Sequence, residues 1–178
     1  MPGATFLSGE RVTLRTVEES DLEFLRDGVN HPDVRTAVGQ AFPTNLRSER
    51  RYWEAASDDA DVVSVLVWAD DERVGAVEFD PVDRETGVAE LGFWLHPDHQ
   101  GGGYAREAAT LMLEYAFTEL RIHKVTANAY ETNERSRALL ERLGFVEEGI
   151  GRDEDFFDGE YHDTQYYGLL EGEWDGAD

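Results

Sequence analysis

Apolar residues recur at two periods along the chain, and the switches between them mark out its elements. Val12 and Leu14 alternate with polar neighbours between Glu10 and Thr16, which predicts a first strand. Glu18-Glu19-Ser20-Asp21 supplies helix-start residues, and Leu22, Leu25 and Val29 fall on one helical face. Residues 31–46 hold two prolines and a glycine and read as a connection. Arg47 to Ser57, carrying Tyr52 and Trp53, reads as a second helix. Val62 to Trp68 is β-branched and apolar, Asp70-Asp71-Glu72 turns the chain, and Val74 to Phe79 completes a hairpin. After a turn at Arg84-Glu85-Thr86-Gly87, the stretch Val88 to Leu95 is almost wholly apolar, which predicts a central strand.

The period then changes. Ala105, Ala108, Ala109, Met112, Leu113, Ala116, Phe117 and Leu120 recur at spacings of three and four and predict a long amphipathic helix. Lys124 to Tyr130 returns to strand periodicity. Asn133 to Leu143 is a further helix, with Gly144 as its C-terminal cap. Residues 145–150 and 160–170 read as two last strands around the Asp158-Gly159 turn. The order β-α-α-β-β-β-α-β-α-β-β shows no repeat, linker or composition break. It predicts one mixed-sheet α/β or α+β domain over residues 1–178.

Composition removes several function classes. No apolar run approaches ~18 residues, and the first ten positions already turn charged, so neither a membrane span nor a signal peptide is expected. Zero cysteines exclude disulfides, thiol catalysis and zinc-ribbon sites. A soluble, cytoplasmic protein is expected. Thirty-nine acids face sixteen bases for a formal charge of −23, and Lys124 is the sole lysine. Such a surface repels phosphate backbones and anionic lipid, so no nucleic acid and no membrane is expected as a partner. A dispersed, lysine-poor acidic coat also suits concentrated salt, where a Debye length of roughly 3 Å at 1 M screens self-repulsion.

Chemistry concentrates between residues 90 and 106. The strand Glu90-Leu91-Gly92-Phe93-Trp94-Leu95 passes through His96-Pro97-Asp98-His99 into Gln100-Gly101-Gly102-Gly103-Tyr104-Ala105, where the long helix begins. A glycine turn between a buried strand and a helix N-terminus is a ready anion site, because free N–H groups and the helix dipole favour negative charge. Gly-Lys-Ser/Thr is missing, so the turn is not a nucleoside-triphosphate loop. The glycines are consecutive rather than spaced as in dinucleotide-binding folds.

These residues resemble a known family. Gln100-x-x-Gly103-x-Ala105 after Leu95-His96-Pro97 is similar to the acetyl-CoA signature of GNAT-type N-acetyltransferases. Asn133-Glu-Arg-Ser136-Arg-Ala-Leu139-Leu140-Glu-Arg-Leu143-Gly144-Phe145 resembles the family's second element. The tail Phe156-Phe157-Asp158-Gly159-x-Tyr161-x-Asp163, followed by Tyr166-Tyr167-Gly168-Leu169-Leu170, resembles the branch containing ribosomal-protein alanine and serine N-acetyltransferases. The likeness spans about residues 9–174.

The resemblance implies a mostly antiparallel twisted sheet of about seven strands, with helices on both faces and strands 88–95 and 124–130 parallel and splayed. Acetyl-CoA would be the co-substrate, with no metal. Its pantetheine would lie against the edge groups of Phe93, Trp94 and Leu95, and its pyrophosphate on Gln100, Gly101, Gly102, Gly103, Tyr104, Ala105 and Arg106. Asn133, Ser136 and Arg142 would add contacts; Asn133 also suits a helix N-cap. The acceptor would be a protein N-terminal α-amine or a small amine, and the protein a monomer or homodimer.

Acetyl transfer needs a deprotonated amine, a hydrogen-bond donor for the acyl oxygen and a proton for the departing thiolate. A backbone N–H near Trp94 or Leu95 would serve the oxygen. Asp155 is the first candidate for the amine proton and Glu90, an acid inside an apolar strand, the second; a water chain is the default. Many relatives carry a tyrosine seven positions after the asparagine, but Leu140 stands there, and Ser136 is the substitute for the thiolate proton. Two rivals remain. One is a non-catalytic acetyl-CoA-binding module; the other, a methyltransferase, would place its glycine loop after the first strand.

Overall fold

Alternation along the strands sorts the apolar side chains onto two faces of one eight-stranded sheet in the computed structural model, which describes residues 2–176. The strands are β1 (Thr5–Ser8), β2 (Val12–Thr16), β3 (Val63–Ala69), β4 (Glu72–Asp83), β5 (Val88–Leu95), β6 (Lys124–Tyr130), β7 (Val146–Phe157) and β8 (Glu160–Leu170). They lie in the order β1-β2-β3-β4-β5-β6-β8-β7. Every neighbouring pair is antiparallel except β5 with β6, which run parallel. The helices are α1 (Leu22–Asn30), α2 (Pro32–Ala37), α3 (Leu46–Asp58), α4 (Tyr104–Thr118) and α5 (Glu134–Arg142).

One face carries Val65, Val67, Phe79, Leu91, Val125, Tyr167 and Leu169, and it packs against Ala109, Met112, Leu113 and Ala116 of α4 and Leu140 of α5. Burial of one such side chain as large as Met112 stabilises the fold by roughly 1.5–3 kcal/mol. The opposite face carries Leu66, Ala76 and Trp94 and packs against Leu22 and Leu25 of α1 and Trp53 of α3. The contact is close at Gly28, where an added Cβ would sit 2.1 Å from the Trp94 ring, so α1 lies directly on the end of β5.

Three elements differ from the periodicity reading. An eighth strand, β1, precedes the predicted first one; it is four residues long and mostly exposed, so it offers no alternation to read. Within the expected connection, Pro32–Ala37 forms α2, because Pro32 sits in the first turn, where its fixed φ suits a helix, and His31 accepts from Asp33 N–H. Strand β7 runs on to Phe157 through register shifts at 147–149 and 151–155, since it is an edge with few buried residues. No helix among the described residues is long and apolar enough to cross a membrane.

Candidate active site

Strands β5 and β6 pair only through Val88↔Lys124, Ala89↔Val125 and Glu90↔Thr126. Beyond Glu90, β4 continues to hold β5 as far as Leu95, and β8 holds β6 as far as Tyr130, so the two inner edges diverge. The His96 N–H donates to the Val74 carbonyl at 2.8 Å. Antiparallel alternation therefore turns the Trp94 N–H towards β4 and the polar groups of Phe93 and Leu95 into the gap. The expected donor for an acyl oxygen narrows from Trp94 or Leu95 to Leu95, with Phe93 beside it. An open strand edge of this kind can accept an extended amide chain as an added strand does. The Leu95 carbonyl already accepts from Gln100 Nε2 at 3.1 Å.

At the mouth of the gap, Gly101 (φ 82°) and Gly103 (φ 84°) are left-handed, and Gly103 is the N-cap of α4 with no side chain over the helix end. Left-handed backbone favours glycine, and the bare first turn presents the amides of Tyr104, Ala105 and exposed Arg106 outward. Gln100 ties this turn to α5, since Arg135 Nη1 donates to its Oε1 at 2.6 Å. Asn133 caps α5 by accepting from the Ser136 N–H at 3.1 Å, so its capping role is realised. Ser136 is half-buried in that first turn, while Leu140, one turn on, is core. Arg142 stands in the last turn of α5, roughly 12 Å of helix rise from Glu134.

A residue the motif reading missed adjoins the turn. Arg11, between β1 and β2, donates from Nη1 to the Gly102 carbonyl at 2.8 Å and lies 5.3 Å over the Tyr104 ring. Glu107 holds it there, accepting from the Arg11 N–H at 2.7 Å and the Val12 N–H at 3.1 Å. Burial pushes the Glu107 carboxyl up, but these amides and the Arg11 charge outweigh it and hold it below its ordinary range. Arg11 and Gly102 are 91 positions apart, so no local pattern links them.

The sheet face opposite α4 is acidic around the gap. Glu90 projects there at the last paired position, with Asn128 Nδ2 donating to it at 2.9 Å. Burial raises its carboxyl, the charge of Asp80 adds to this, and the Asn128 bond opposes both. Asp155 reaches the same face through Thr164, whose hydroxyl donates to it at 2.7 Å. Burial and the Asp155 charge raise the Tyr130 hydroxyl. Tyr166 donates to Glu154, and that bond, with burial, pushes its pKa up to about 12. On β4, Glu78 accepts from Tyr52 Oη of α3 at 3.0 Å. Burial raises Glu78, the Tyr52 bond lowers it, and Asp80 raises it again. His96, by contrast, accepts from Asp98 N–H at 3.4 Å in its own turn.

Residues 11–146 match the acetyltransferase (GNAT) domain family. The chain is 32% identical over 174 residues to the putative ribosomal N-acetyltransferase YdaF of Bacillus subtilis, covering 94% of this chain and 95% of that one. It is 29% identical over 165 residues to the spermidine N(1)-acetyltransferase of Vibrio cholerae, covering 92% and 95%. The crystal structure of spermidine N-acetyltransferase from Vibrio cholerae in complex with CoA and spermine superposes with a TM-score of 0.87 at 27% identity, over 92% of this chain and 97% of that one. A splayed parallel strand pair, a bare glycine turn at a helix start and these likenesses agree: the chain belongs to the GNAT acetyltransferase family, enzymes that move an acetyl group from acetyl-CoA to an amine.

Proposed function

We propose that the whole chain works as one acetyltransferase unit in which cofactor and acceptor meet at the β5–β6 gap from opposite faces of the sheet. The observation that carries this reading is Glu90, an acid at the apex of the gap on the face away from α4. The fit on the cofactor side rests on left-handed Gly101 and Gly103, on the uncapped start of α4 and on the open edge of Phe93 and Leu95. Gly101 to Arg106 would hold the pyrophosphate, with Asn133 and Ser136 along the pantetheine. When bound, acetyl-CoA supplies the thioester that a neutral amine attacks directly.

The chain's own residues then have separate tasks. Glu90, raised by burial, takes the proton of the incoming ammonium and leaves it as free amine. Asp155, bound by Thr164, is the alternative for that proton. The Leu95 N–H is the donor for the acyl oxygen, and the Ser136 hydroxyl stands on the thiol side of the gap. The acceptor is a small cationic amine, which the acidic lining of that face favours. The likeness to YdaF supports a second acceptor, a protein N-terminal α-amine, and the branch of ribosomal-protein N-acetyltransferases. Release of free thiol from acetyl-CoA with a panel of aliphatic amines and N-terminal peptides tests the reading. Turnover on an amine and none without it is expected; silence across the panel, with acetyl-CoA still bound, would instead identify a binding module.

The acidic surface supports a cytoplasm rich in salt as the working environment. Self-repulsion among 39 acids is screened as the Debye length shrinks from ~10 Å at 0.1 M to ~3 Å at 1 M. The melting temperature should therefore rise steeply from low salt to molar KCl. A melting curve unmoved over that range would show that the acidity is ordinary.

A further inference from the structure

An acidic protein that binds an anionic cofactor has to reverse its own field where the phosphates sit. With a formal charge of −23, the chain as a whole repels such a ligand. The uncapped start of α4 offers free amides and a partial positive charge. A full charge stands beside it in Arg11, in the turn between β1 and β2.

The contacts of Arg11 use one edge of its guanidinium and leave the other. Glu107 of α4 accepts from the Arg11 and Val12 N–H groups through Oε1, and its Oε2 lies 3.4 Å from Arg11 Nε. The hairpin turn is thus tied to the first turns of α4. Nη1 donates to the Gly102 carbonyl at 2.8 Å, and the Tyr104 ring lies 5.3 Å from the guanidinium carbon. Nη2 has no hydrogen-bond or ion-pair partner among the described residues. It stands over Gly103, 2.8 Å from where a side chain there would begin. The Arg11 side chain is 53% exposed, so this free edge faces solvent above the bare helix end.

Resting on the placement of the pyrophosphate at this turn, we infer that Arg11 is a further cofactor-binding residue, whose Nη2 donates to a pyrophosphate oxygen of acetyl-CoA. The amides of α4 hold the pyrophosphate from the helix side, and the guanidinium closes over it from the β1–β2 turn. A guanidinium–phosphate hydrogen bond is charge-assisted and roughly twice as strong as a neutral one. Nη1 meanwhile keeps the glycine turn in place through Gly102. Glu107 acts through Arg11 as a positioning residue. The contact belongs to the pyrophosphate and not to the adenosine 3′-phosphate, because Nη2 lies over the N-cap of α4, beside the first-turn amides.

Calorimetry with CoA and 3′-dephospho-CoA as probes, over a series of KCl concentrations, reads this without relying on turnover. Arg11→Gln should weaken both probes at least tenfold and by the same factor. Its log Kd should also climb less steeply with log salt than that of the wild type, because one charged contact fewer is screened. A turn merely loosened would leave that slope alone. Arg11→Lys keeps the charge without the fork, so it should keep the wild-type slope and recover part of the affinity. It is also the second arm should the glutamine variant fail to fold. In turnover the loss should fall on KM for acetyl-CoA rather than on kcat, since the contact is made alike in ground and transition states. A loss confined to CoA would give Arg11 to the 3′-phosphate and overturn the assignment, and a slope unmoved in Arg11→Gln would overturn it too. Full affinity in Arg11→Gln beside weakened binding in Gly103→Val sinks the Arg11 contact alone. Full affinity in both variants takes the pyrophosphate placement with it.

Discussion

Glu90→Gln is expected to lower kcat by about 10²–10⁴-fold, the usual worth of a positioned general base. The amide keeps the shape of the side chain beside Asn128 but cannot take a proton. Burial raises the Glu90 carboxyl, with Asp80 adding to it. A base works only when ionised, so wild-type activity is present above the Glu90 pKa and lost as pH falls through it. That acid limb should stand above the ordinary carboxylate range in the profile of kcat/KM. In the variant the limb should vanish, leaving only the titration of the amine, and high pH should partly restore the rate because solvent then deprotonates the amine. Asp155→Asn and Ser136→Ala are the matching controls. A loss under threefold in any of the three removes that residue from the proton chemistry, and the base belongs to whichever variant loses the acid limb.

The order of the elements was legible because it is written in local periods. The apolar run at 88–95, the three glycines and the spacing of Ala108, Ala109, Met112 and Leu113 each lie within a few residues, and the structure places them as a strand, a turn and a helix. Pro32 misled because proline ends a helix from within but favours one from its first turn, and only the His31 cap distinguishes the two cases. Strand β1 was silent because an exposed four-residue edge has no buried face to alternate with.

Single acids of the acceptor side, Glu90 and Asp155, could be named from the sequence, but not the face they share. Gly103, Gln100 and Asn133 belong to contiguous motifs, whereas the acceptor face is assembled by register. Glu78 and Glu90 each interrupt an apolar strand, a visible signal, but their diagonal relation depends on pairing Glu78 with Gly92, which no sequence period encodes. Arg11 needed the β1–β2 turn to be folded against α4 before its place beside Gly102 existed. In a chain with 39 acids, charge alone could not single out the few that face the gap.

Gly103→Val is expected to weaken acetyl-CoA binding at least tenfold, ~1.4 kcal/mol, by calorimetry. Two causes act together. The residue sits at φ 84°, where a β-branched side chain is strained, so the variant pulls the N-cap of α4 out of its left-handed turn. The new side chain also stands over the first-turn amides, and its Cβ would lie 2.8 Å from Arg11 Nη2, displacing the guanidinium from the loop. Gly101→Ala separates these causes. Gly101 has a similar φ of 82° but nothing within 4 Å of an added Cβ, so that variant reports strain with no displacement of Arg11. The α4 core at Met112 and Leu113 is untouched by either change, and both variants should melt cooperatively. Full affinity in Gly103→Val would take the pyrophosphate away from this turn, and the anion site would have to be sought elsewhere along the gap.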